Sequence, residues 1–215
     1  MQETGCWGIL SSTIAYKVYV TMSAHTILLF TLLLAGATGA NAHEAEGIAG
    51  GFTSGFMHPL LGWDHVAAMV AVGLWGAVLG RSAIWILPVV FPLVMAFGGA
   101  LGVTGIPLPS VEVGIAMSAL VLGSMVLLAA RPPLWIAAII VGVFAIFHGH
   151  AHGTELPHAV SPLAFSIGFV LATGLLHLCG ILISFLSRWR AGQVVVRAGG
   201  AIIAMAGAIF LLRAF

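Results

Sequence analysis

Beyond residue 43 the chain is a succession of long apolar runs, punctuated by Gly, Pro and Arg rather than by extended polar segments. A helix needs about twenty apolar residues to cross a bilayer. Six such spans fit, near residues 63–80, 83–101, 111–130, 134–151, 163–186 and 195–213. The Gly-rich piece 47–57 is too short for a seventh and predicts an interfacial or re-entrant segment. Pro59 and Gly62 are expected to break any continuous helix leading from it into the first span. The fold class expected is therefore an all-α integral membrane protein, with residues 43–215 forming one polytopic domain of six transmembrane helices.

Upstream, residues 27–34 form an apolar core too short to span, and Ala40-Asn41-Ala42 fits the small-x-small cleavage pattern. Residues 1–42 are thus expected to be a leader and cleavable signal peptide, with Met22 an alternative start and His43 the mature N-terminus. An uncleaved anchor helix is the other reading, and it too leaves His43 outside. The arginines give an independent orientation, because cytoplasmic loops collect Lys and Arg. Arg81, Arg131 and the Arg188, Arg190 and Arg197 group fall after spans one, three and five, and only Arg213 falls on the other side. Both mature termini are accordingly expected on the periplasmic face of a bacterial inner membrane.

Composition supports the membrane assignment: 61% of residues are hydrophobic, 6% are charged and the mean hydropathy is +1.17. A formal net charge of +1 without a basic tract gives no basis for nucleic-acid binding, and the bilayer is the expected surround. Cys6 and Cys179 form neither a disulfide framework nor a thiolate metal site.

Against this apolar background, two clusters of metal-binding side chains stand out. The first is His58-Pro59-Leu60-Leu61-Gly62-Trp63-Asp64-His65, and the second runs from His148 through His150 and His152 to Glu155 and His158. Ionisable groups in a membrane are costly and mark substrate paths, relays or metal sites. The expected topology puts both clusters, with Glu112, at the outer ends of their spans. His148, His152 and Glu155 are spaced i, i+4, i+7 and share one helix face, whereas His150 points elsewhere. Asp64 and His65 are adjacent and point to different sides, which favours mixed ligand and supporting roles. Imidazole and carboxylate without thiolate suit Ni²⁺, Co²⁺ and Zn²⁺ better than Cu⁺, Mg²⁺ or Ca²⁺.

The remaining candidates carry plainer readings beside the functional one. His177, within the fifth span, is either a packing residue or a ligand further along a transport path. His158 is either a loop residue or a ligand, and His43 either a solvated terminus or a chelating one. Cys179 and the scattered methionines read as core.

At these positions the chain resembles a known family. His58-Pro59-x-x-Gly62-x-Asp64-His65, followed by His148-x-His150-x-His152 with Glu155 and Pro157, is similar to the HupE/UreJ family of bacterial nickel and cobalt permeases. A separate group of nickel and cobalt permeases carries His, four residues, then Asp-His; five residues intervene here, so that likeness is looser. The family resemblance implies secondary uptake of Ni²⁺, with Co²⁺ as an alternative, for urease or hydrogenase maturation. By position it implies metal roles for His58, Asp64, His65, His148, His152 and Glu155. It implies no resident cofactor, the metal being cargo, and a homo-oligomer is compatible with it. No G-x-x-x-x-G-K-[ST] sequence occurs, so transport is expected to be passive, potential-driven, proton-coupled or powered by a partner. The competing classes are an intramembrane zinc hydrolase, with three protein ligands and an activated water, and a metal sensor or accessory protein without flux.

Overall fold

The computed structural model describes residues 48–155 and 161–215. The expected leader, its cleavage site, His43, Pro157 and His158 lie outside these residues. The described chain is helical: α1 (Ile48–Leu61), α2 (Trp63–Leu79), α3 (Arg81–Val103), α4 (Val111–Leu127), α5 (Leu134–Thr154), α6 (Pro162–Ser184) and α7 (Arg190–Arg213), with a 3₁₀ turn (Phe185–Arg188) extending α6. Helices satisfy every interior backbone group within the segment, as a spanning element in lipid must.

Four of these segments are long and apolar enough to cross a membrane: Ser82–Val103, Leu134–Thr154, Pro162–Arg188 and Arg190–Arg213. The pair Gly50–Leu61 and Trp63–Leu79 meets the same test together, bent by 80°. It is a broken span or a re-entrant loop. The remaining helix, α4, has 17 residues and is about 25 Å long at 1.5 Å per residue. Helices thus occur at all six expected positions, with four, or five counting the bent pair, passing as spans.

The break before α2 differs from expectation in one respect. Pro59 lies inside α1, near its end, and does not stop the helix. Gly62 does, with an extended backbone at φ −85° and ψ 106°. A proline late in a helix removes one hydrogen bond and bends the turn, whereas an extended residue changes the direction of the chain.

Small residues decide which helices meet, as is usual where lipid supplies no hydrophobic drive between helices. The main pairings are α3 with α5, α4 with α7, and the broken α1–α2 pair with α6. Gly98 and Gly102 of α3 face the backbone of Ile146 and His150, while Gly149 and Gly153 of α5 face Met95 and Gly99. Gly123 meets Gly200 between α4 and α7, and Gly73 and Gly180 meet His177 and Val70 between α2 and α6. In the Gly-Gly pairs at 98–99 and 199–200, Gly98, Gly99 and Gly200 sit at such contacts, but Gly199 has open space around it among the described residues.

The interior centres on Met69, Trp75, Leu87, Phe91, Leu122 and Val141, while Trp85, Leu93, Trp135, Leu163 and Leu212 point outward. Trp75 Nε1 donates to Ala130 O at 2.9 Å. Helix α4 separates two unlike ends of the bundle. At its start Glu112 lines a cavity of about 220 Å³ with Asp64 and Arg213. At its other end Arg197 Nε donates to Leu127 O at 2.7 Å.

Candidate metal centre

The turn at Gly62 brings α1 and α2 together at a sharp angle, so His58 and His65 stand on different helices but face a common space, their ring centroids 6.4 Å apart. A side chain at position 62 would have to displace the His65 ring and the Asp64 carboxylate. A Cβ there would approach His65 Nδ1 at 2.9 Å and Asp64 Oδ1 at 3.0 Å. From α5, one turn apart, come His148 and His152. The centroid of His65 lies 4.7 Å from that of His148 and 4.5 Å from that of His152.

Two overlapping ligand groups result. His65, His148 and His152 each offer one ligand atom within 4.8 Å of the others, and so do His58, His152 and Glu155. His152 belongs to both. Exposure falls steadily through the set: the side chains of Glu155 and His58 are 58% and 34% exposed, while the residues His152 and His148 are 7% and 0% exposed. Glu155 Oε2 stands 3.6 Å from His58 Nε2. Phe169 covers His152 at 4.3 Å between centroids and Phe165 covers His58 at 5.9 Å, so the walls are apolar.

The neighbours of these rings determine which nitrogens can bind metal. Asp64 Oδ1 accepts from the His65 backbone N–H at 2.8 Å and from Nδ1 at 2.7 Å, leaving Nε2 without a partner among the described residues. Ser118 donates its hydroxyl to Ile115 O at 2.6 Å, so toward His148 its oxygen accepts from Nε2 at 2.9 Å and Nδ1 is left free. Neither ring nitrogen of His152 has a partner among the described residues. A carboxylate or hydroxyl on the far nitrogen fixes tautomer and ring orientation, the arrangement that supports metal-bound imidazole. Asp64 thus sits behind His65, outside both ligand groups.

Loss of such a partner weakens metal binding by roughly 10–100-fold. Asp64→Asn and Ser118→Ala are each expected to weaken Ni²⁺ binding within that range, read by isothermal titration of the purified protein. Unchanged affinity in both variants would show that the two contacts do not set the tautomers.

Other sequence candidates fall elsewhere. His150 is buried on the opposite side of α5, and its Nε2 donates to Ile106 O at 2.8 Å, tying α5 to the loop after α3. Glu112 is exposed beside Asp64 and belongs to neither ligand group. His177 is buried deeper, away from both. Ser118 was not singled out by sequence. Its one signal is a hydroxyl in an apolar span, and Ser124 on the same helix gives that signal while bonding only its own turn, at Leu120 O.

Comparison with known proteins adds a second line of support. The family described as HupE / UreJ protein matches residues 29–210. Protein HupE of Rhizobium leguminosarum bv. viciae is 46% identical over 183 residues, which cover 85% of this chain and 96% of that protein. No solved structure matches the chain.

Proposed function

From the membership of this chain in the HupE/UreJ family, we propose that it is a secondary carrier that takes up Ni²⁺, with Co²⁺ as its second substrate, and supplies urease or hydrogenase maturation. It works as a transporter and not as an enzyme. It sits in the bacterial inner membrane with the histidine end periplasmic and the arginine end cytoplasmic, α2 to α7 each crossing and α1 re-entrant.

The observation that carries this reading is the convergence of His65, His148 and His152 with nitrogens that have no partner among the described residues. Structural histidines in an apolar bundle find hydrogen-bond partners; these instead present lone pairs to one another's space. Imidazole and carboxylate select a borderline divalent ion. The ion first meets Glu155 and His58, where water is still available, and exchanges hydration for His152. Because His152 is shared, a ligand can remain attached while His65 and His148 replace the outer pair. Each exchange is then a partial one, which avoids exposing a bare cation to the apolar interior.

Uptake of radioactive Ni²⁺ into proteoliposomes containing the purified chain tests the proposal. Accumulation well above protein-free vesicles is expected; tight binding without flux would instead identify a sensor, and turnover of a lipid or amide a hydrolase. Protons compete for the same lone pairs, so uptake should fall as external pH is lowered. Uptake at subsaturating Ni²⁺ that stays independent of pH down to the acid limit of protein stability would mean that histidine ligation does not limit transport.

A further inference from the structure

Below the three-imidazole group, α6 places another histidine that the site described so far does not use. His177 is 1% exposed, and neither of its ring nitrogens has a partner among the described residues. One turn earlier on the same face of α6, Thr173 is fully buried, and its hydroxyl is also without a partner. A helical threonine ordinarily returns its hydroxyl to a carbonyl of the preceding turn. Here both polar groups are kept in the interior, at a cost that leucine and valine would avoid.

Their position is informative. The His177 carbonyl lies against Gly73, which is eight residues beyond His65 on α2 and so about 12 Å further along the bundle at 1.5 Å per residue. Between the two levels stands Phe91, fully buried, its ring centroid 5.6 Å from that of His148 and 5.4 Å from that of His177. The ring touches both imidazoles and separates them.

We propose that His177 and Thr173 form an inner station that receives the metal ion from His65 and His148, and that Phe91 is the partition it must pass. The proposal rests on the transport reading above and extends it with a second binding position on the same path. An imidazole nitrogen and a hydroxyl oxygen give a weaker, more open site than three imidazoles, suited to release rather than capture. The phenyl ring keeps the two levels from exchanging freely.

The test compares the full chain with His177→Leu and Thr173→Val in proteoliposomes, measuring the concentration dependence of Ni²⁺ uptake and, separately, Ni²⁺ binding to purified protein. An inner station acts after capture. Both variants should therefore bind Ni²⁺ with affinity within about threefold of the parent while the maximal uptake rate falls by tenfold or more for His177→Leu and severalfold for Thr173→Val. Should His177→Leu not fold, Thr173→Val and His177→Gln decide, since each retains the shape of the site. Parental rates in the folded variants would overturn the inner station, as would raised KM with an unchanged maximal rate, which places these groups in capture. Absence of flux in the parent would fail the transport reading itself, an outcome distinct from parental rates in the variants.

Discussion

Alanine in place of His148, or of His65, is expected to reduce Ni²⁺ uptake to the level of protein-free vesicles. Each ring is one of three nitrogen donors in its group, and each is already oriented by a partner on its far side, Ser118 for His148 and Asp64 for His65. Losing only an orienting partner typically weakens binding 10–100-fold, so losing a ligand should cost at least about 100-fold, or roughly 2.8 kcal/mol at 1.4 kcal/mol per decade. The two substitutions come from different helices whose rings meet at 4.7 Å between centroids in the proposed ion site. His148→Ala also strands the Ser118 oxygen and opens a small cavity, at about 1–3 kcal/mol of stability. His65, 9% exposed at the start of α2, leaves behind only Asp64, 29% exposed and able to take water in place of the ring. Its alanine variant should therefore spare the fold more than His148→Ala and separates loss of ligand from loss of structure. Uptake above half the parental rate in a folded His65→Ala protein would remove the three-imidazole group from the transport path.

The largest structural effect should come from Gly149→Ala. A methyl group there would overlap Met95 O and press on the Gly99 backbone of α3. The pairing of α3 with α5 is one of the main contacts of the bundle. Backbone cannot turn aside as a side chain can, so the helices must separate, and overpacking of this kind costs roughly 1–3 kcal/mol or more. Because His148 and His152 flank the site on the same helix, separation would also draw both ligands away from His65. A strongly lowered thermal midpoint in detergent and loss of Ni²⁺ binding are expected together. Gly174→Ala is the control: nothing lies within 4 Å of its added carbon, and alanine is favoured over glycine in a helix by roughly 0.5–1 kcal/mol. Equal midpoints for Gly149→Ala and Gly174→Ala would show that close α3–α5 packing does not hold the site.

Much of the architecture was legible along the chain. Apolar runs of spanning length, closed by Gly, Pro and Arg, mark the helices because a bilayer permits few other solutions for the backbone. The shared face of His148 and His152 follows from helical spacing alone, and the family from the motifs around His58 and His148. Less legible was the break before α2. Pro59 and Gly62 both read as helix breakers, but only Gly62 adopts the extended conformation that turns the chain.

What the sequence by itself determined is the class of protein, the positions of its helices and the chemistry of its candidate ligands, since periodicity, length and side-chain type are local properties. The tertiary structure alone decided which of those ligands meet. It set His65 against His148 and His152, turned His150 to Ile106, put Asp64 behind His65, and supplied Ser118 from a helix with no ligand in either group. It also placed Phe91 between His148 and His177, residues 29 positions apart on different helices. The reason is physical: helix partners are chosen by where glycines allow backbones to touch, and that complementarity is a property of pairs of surfaces rather than of either segment.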